Sequence, residues 1–137
     1  MFDKHVEEIA AGCKLPDGQI VYLTAKGGQC IRLDASGNQV KSFAADYKGD
    51  SGCILDLTPR GGLLVTRCST STAMELDLDG ENLWQAQTTG GIATAVRNGH
   101  VMTAAFYQSN VVQLDRTGKV VWQHQTPGYQ PFLARKR

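Results

Sequence analysis

Three histidines, a hydroxyl-rich stretch and four cysteines are the residues of this chain best equipped for chemistry. His5, His100 and His124 could each move a proton near neutral pH. A general base must lie within reach of the proton it takes, and the surroundings of these histidines point elsewhere. His100 follows the Asn98-Gly99 dipeptide, so it is expected at the rim of a hairpin, and His124 falls on a strand at the outer edge of a sheet. Cys68-Ser69-Thr70-Ser71-Thr72 offers nucleophilic oxygens but lacks the glycines of a nucleophile elbow. Cys13, Cys30, Cys53 and Cys68 form no C-x-x-C pair, so they read as small, reduced, half-buried apolar residues. The pairs Gly27-Gly28, Gly61-Gly62 and Gly90-Gly91 read as turn glycines. None opens a helix, so a phosphate loop is not expected. No carboxylates cluster with calcium spacing. No catalytic, metal-binding or cofactor-binding residue is assigned, and no enzyme activity is expected.

The elements that position these residues come from a repeat. LPDGQIVYLTAKGGQCIRLDASGNQV, TPRGGLLVTRCSTSTAMELDLDGENLW and VRNGHVMTAAFYQSNVVQLDRTGKVVW are three copies of one pattern. Asp34, Asp77 and Asp115 are equivalent, and each precedes a glycine (Gly37, Gly80, Gly118) by three residues. A period of about 40 residues built from short strands marks a β-propeller blade. In the third copy GIATAV, HVMTAAFY, VVQLD and KVVWQHQ read as four strands. Asn98-Gly99 suits a tight hairpin, because both residues tolerate positive φ. Asp115 to Gly118 suits a turn in which the carboxylate bonds the backbone ahead of it. Pro16-Asp17-Gly18 and Arg60-Gly61-Gly62 take the first-hairpin position in the other copies.

The reading is therefore all-β: three four-stranded antiparallel blades over about 5–45, 50–88 and 90–126 of a single domain, with an extra strand over about 130–137. Leu33, Leu76 and Leu114 share one position and are expected to pack between blades. Trp84 and Trp122 share another, seven residues past the aspartate, and are given the same role; copy one has Lys41 there.

NGHVMTAAFYQSNVVQLDRTGKVVW, and the LDLDGENLW of copy two, resemble the blades of bacterial quinoprotein-like (PQQ-like) propeller repeats. The resemblance covers almost the whole chain and implies a propeller. Its members include assembly scaffolds, quinone-dependent dehydrogenases and arylsulfotransferase-type enzymes, so it does not choose a function. The quinone site and calcium site of the enzyme members are not carried over to any residue here.

Three blades are too few to close a ring, since propellers need at least four. A half ring would leave apolar sheet faces bare. The chain is thus expected to pair with itself, a two-fold giving a six-bladed ring. TPGYQPFLARKR falls where a next blade would begin, so Phe132 and Leu133 are candidate anchors of a docking strand. The loops between second and third strands gather at the ring mouth. Lys26, Arg67 and Tyr107 lie in or beside them, as candidate contacts for a protein or peptide.

The functional expectation is a non-enzymatic interaction scaffold. The alternatives are a quinoprotein-like site formed only in the assembled ring, and a piece of a longer propeller without activity of its own. The 137 residues carry a net charge of +1, which disfavours sequence-blind nucleic-acid binding, and Arg135-Lys136-Arg137 reads as a solvated end. No apolar run spans a bilayer and no signal peptide is visible, so no membrane contact and a cytoplasmic location are expected.

Overall fold

The computed structural model describes residues 8–45, 55–67, 70–88, 91–95, 97–131 and 134. Three antiparallel sheets of four strands follow one another along the chain. The first holds β1 (Ile9–Lys14), β2 (Ile20–Thr24), β3 (Gln29–Leu33) and β4 (Gln39–Ala44). The second holds β5 (Leu55–Leu57), β6 (Leu63–Arg67), β7 (Thr72–Leu76) and β8 (Asn82–Gln87). The third holds β9 (Ile92–Ala95), β10 (Val101–Ala105), β11 (Asn110–Leu114) and β12 (Val120–Gln125). A single 3-10 turn, Arg97–Gly99, joins β9 to β10 among the described residues. Asn98 and Gly99 both take positive φ there, at 66° and 76°, the conformation the dipeptide is suited to. Every strand pairs with its neighbour in sequence, so each sheet is a meander, or blade.

The blades stack like pages. β1 packs against β5, and β9 against β5 and β6, so the first strands converge while β4, β8 and β12 form the outer edges. Residues opposite one another across a ladder share a face. Cys13, Val21, Arg32 and Lys41 form such a row in blade 1, with Ala11, Leu23, Cys30 and Phe43 beside it. This face meets blade 2. Val21, Leu23 and Cys30 pack there against Leu55, Leu63, Val65, Met74 and Leu76. Each buried Leu or Val contributes about 1.5–3 kcal/mol of transfer free energy. Blade 2 presents its opposite face, with Leu64 and Ala73, to Ala93 and Val101 of blade 3. Burial raises the Cys30 thiol to about 12, with Cys13 nearby adding to the shift, and both cysteines are free. Cys53 and Cys68 lie outside the described residues.

One turn recurs in all three blades. Asp34, Asp77 and Asp115 each accept two backbone N–H groups through Oδ1: from Ser36 and Asn38, from Asp79 and Glu81, and from Thr117 and Lys119, at 2.8–3.0 Å. The ladder register shifts at the residue just before, at Leu33, Leu76 and Leu114, so the same irregularity recurs in each blade. The hydrogen bonds hold all three carboxyls below the ordinary carboxylate range. The Asn38 N–H is the largest cause for Asp34, the Glu81 N–H for Asp77 and the Thr117 hydroxyl for Asp115.

The extra strand expected over 130–137 falls partly outside the described residues, as do its anchors Phe132 and Leu133. Gln130, Pro131 and Ala134 are not in strand conformation. His5 also lies outside.

A folded-state pKa below the unfolded value gives stability that is present above about pH 4 and lost as pH falls through the folded value. Asparagine keeps the acceptor oxygen but cannot ionise. The triple variant Asp34→Asn, Asp77→Asn, Asp115→Asn should therefore lose less melting temperature than the parent protein on going from about pH 5 to pH 2. Parallel melting-temperature curves for the two proteins would refute this account of the turns.

Candidate functional site

The antiparallel meander puts the β2–β3, β6–β7 and β10–β11 turns at one rim and the β1–β2, β3–β4 and equivalent turns at the other. Lys26, Arg67 and Tyr107 belong to the first rim. Lys26 Nζ stands 3.9 Å from Glu8 Oε2, with both side chains well exposed, so the pair adds little. Arg67 is half-buried at the end of β6. Tyr107 is 85% exposed and meets the Phe106 ring edge-on, with centroids 5.3 Å apart.

The second rim carries a cleft of about 310 Å³ between blades 2 and 3. Thr58, Pro59 and Arg60 enter it from the β5–β6 turn, Asn98, Gly99 and His100 from the β9–β10 turn, and Arg116 from the β11–β12 turn. Leu64, Glu75 and Val101 line it from the strands. These turns converge for a local reason. The repeated aspartate turn projects its second residue toward the preceding blade, and in blade 3 that residue is Arg116.

Arg116 makes three contacts with blade 2. Its guanidinium Nη1 donates to Glu75 Oε2. Its Cζ lies 5.7 Å from the centroid of the Trp84 ring, within cation–π range. Its backbone carbonyl accepts the Trp84 indole N–H at 2.8 Å. Glu75 is 4% exposed. A carboxylate at that depth stays charged only with a close counter-charge, and Arg116 supplies it. The Gln113 side-chain amide and the His100 ring are in hydrogen-bond contact through Nε2 and Nδ1. Arg60 is exposed at the cleft mouth and has no ion-pair partner among the described residues. The Thr58 hydroxyl accepts the Gly62 N–H at 2.9 Å.

Among the lining residues two guanidinium groups and one imidazole stand with one carboxylate, Glu75, beside the apolar Pro59, Leu64 and Val101, and the Asp115 carboxylate lies near enough to His100 to feel its charge. Anionic groups suit such a place. No group of three or more metal-ligating side chains occurs among the described residues, and none of their helices is long and apolar enough to cross a membrane.

The junction between blades 1 and 2 follows the same register with other residues. Arg32 Nη1 donates to the Leu78 carbonyl at 3.1 Å, Lys41 Nζ pairs with Asp79 Oδ1 at 3.2 Å, and the Phe43 ring covers Gly80 so closely that a Cβ there would lie 2.7 Å from it. Leu78 and Arg116 are equivalent, each following its turn aspartate, and Lys41 is equivalent to Trp84. Leu76 lies in the core between blades 1 and 2, and Leu33 and Leu114 are buried. Trp84 packs onto the cluster of Leu64, Ala73, Ala93 and Val101. Trp122, on the outer strand of the last blade, is 47% exposed and stacks on His124 with ring centroids 6.2 Å apart.

Sequence reasoning missed the Glu75–Arg116 pair. A signal was present: Glu75 stands on β7 in phase with Ala73, on the face turned to the next blade, where the other copies have Arg32 and Gln113. A polar residue at an interior position of every copy needs a partner across the junction.

Removing Arg116 leaves the Glu75 carboxylate buried and unpaired. Arg116→Ala should cost about 3 kcal/mol of unfolding free energy in denaturant titrations. Adding Glu75→Gln should return part of that loss, because an amide tolerates burial without a cation. Equal stabilities for the single and the double variant would show that the pair does not hold the junction.

Solved structures of known proteins share this fold. Virginiamycin B lyase from Staphylococcus aureus superposes with a TM-score of 0.69 at 14% identity, over 91% of this chain and 43% of that one. Hydrazine synthase from Kuenenia stuttgartiensis gives 0.68 at 14% identity, over 96% and 40%. BamB from Moraxella catarrhalis gives 0.57 at 23% identity, over 87% and 37%. The chain thus spans less than half the length of each. No curated protein matches it in sequence. Residues 3–132 match the profile of a family of PQQ-like repeats described as outer membrane protein assembly factor BamB.

Proposed function

The chain belongs to the BamB family of PQQ-like repeat proteins, and on that premise we propose that it is a non-catalytic propeller scaffold that holds an acidic segment of a partner protein at its rim. The observation that carries this reading is the cleft between blades 2 and 3, where Arg60, His100 and Arg116 surround an apolar floor. A carboxylate side chain entering the mouth meets Arg60 first, whose planar fork can take both oxygens at once. An apolar neighbour on the same segment covers Leu64 and Val101. Arg116 is already occupied by Glu75 and Trp84, so it shapes the wall and keeps the two blades at a fixed spacing. A rigid wall loses little entropy on binding. The family's description as an assembly factor agrees with a platform role.

Selection of a random peptide display library on the whole chain tests this. Peptides carrying Asp or Glu beside an apolar residue should be enriched, and their affinity should fall with salt. Arg60→Glu should weaken them about tenfold or more while leaving the melting temperature unchanged, since Arg60 is exposed. Enrichment of basic or uncharged peptides, or undiminished binding by Arg60→Glu, would contradict the proposal.

A further inference from the structure

The first hairpin of every blade ends in an exposed side chain at the second rim. Asp17, Arg60 and Asn98 are equivalent, each seventeen residues before its turn aspartate. Each precedes a glycine with positive φ, at 89°, 85° and 76°. Gly18 and Gly61 donate in the same way to the carbonyls of Leu15 and Thr58. The first strands converge, which sets the three tips side by side. Packed sheets stand about 10 Å apart, and that spacing separates neighbouring tips.

The tips differ in charge. From blade 1 to blade 3 they read acidic, basic and neutral. Asp17 Oδ1 accepts the Gln19 N–H at 3.0 Å, which holds the carboxylate at its tip. Neither Asp17 nor Arg60 makes an ion pair with any described residue, Lys14 at the end of β1 included. Two opposite charges thus stand on adjacent blades, both exposed and not paired with each other.

A segment held at the cleft has a defined way to run. The cleft lies on the blade 3 side of Arg60, between Arg60 and Asn98. The apolar neighbour of the anchoring carboxylate occupies that side. The chain on the other side of the carboxylate leaves toward blade 1, where Asp17 is the next tip. At about 3.3 Å per extended residue, a step of about 10 Å takes about three residues.

We propose that the partner segment carries a second charge: a lysine or arginine that pairs with Asp17, about three residues from the acidic residue at Arg60 and on the side opposite the apolar neighbour. The inference rests on the reading of the cleft as a site for an acidic segment, and it adds Asp17 as a specificity-determining contact outside the cleft. The pair is exposed, so it contributes little affinity. It acts by selection. A segment with an acidic residue at that place meets a like charge. The order of the charges also fixes the direction in which the segment lies.

Random peptide display on the whole chain and on its Asp17→Asn variant tests this. Asparagine keeps the acceptor that closes the tip and removes only the charge, so the variant should melt with the parent protein. Peptides selected on the parent should carry Lys or Arg about three residues from the acidic residue, on the side away from the apolar one. Those selected on Asp17→Asn should keep the acidic residue and lose the basic preference. In a synthetic peptide from the parent selection, replacing the basic residue by Gln should weaken binding to the parent about threefold and leave binding to Asp17→Asn unchanged. An acidic residue without the basic one, or a basic preference that survives Asp17→Asn, overturns the proposal and leaves the reading of the cleft standing. Selected peptides that lack an acidic residue overturn both.

Discussion

The spacing between blades is set by a side chain that reaches across to a backbone carbonyl. Trp84 gives its indole N–H to the Arg116 carbonyl and its ring face to the Arg116 guanidinium, which in turn neutralises buried Glu75. A hydrogen bond of this kind contributes only about 1 kcal/mol net. Its directional demand matters more. The donor must meet one oxygen, so two sheets that could slide over an apolar interface are held at one height and one angle. Arg32 does the same with the Leu78 carbonyl at the other junction. Where these bonds fall, the turns of adjacent blades converge, and the cleft at the rim is the space left between them.

The aspartate turns make this possible. Satisfying two backbone donors with one carboxylate oxygen fixes the loop between third and fourth strands without help from neighbouring blades. The carbonyl of the second loop residue is then turned outward as an acceptor. Local hydrogen bonding thus prepares the surface on which inter-blade contact is built, and repetition of the loop carries the same geometry from blade to blade.

Much of the architecture was legible because it rests on local chemistry. Asn98-Gly99 and the three Asp-to-Gly turns announce hairpins through backbone conformations that few other residues adopt. The period of the repeat supplies the number of blades. The cleft was harder to read, because its residues come from different copies and play different parts. Arg116, Leu78 and Ala35 are equivalent in the repeat yet differ in chemistry. Only the stacking of blades brings Glu75, 41 positions away, to Arg116. The loops favoured from the sequence, with Lys26, Arg67 and Tyr107, occupy the other rim. Alternation along strands predicts which face a residue takes, but not which rim holds a cavity between two blades.

Every described strand bonds only to strands next to it in sequence. No ladder waits for a distant segment, so each sheet closes short loops before any long one, and topologies of this kind form quickly. A blade emerging first from a ribosome already contains all the pairing partners it needs. Stacking can then proceed in order, each sheet serving as a template for the one synthesised after it.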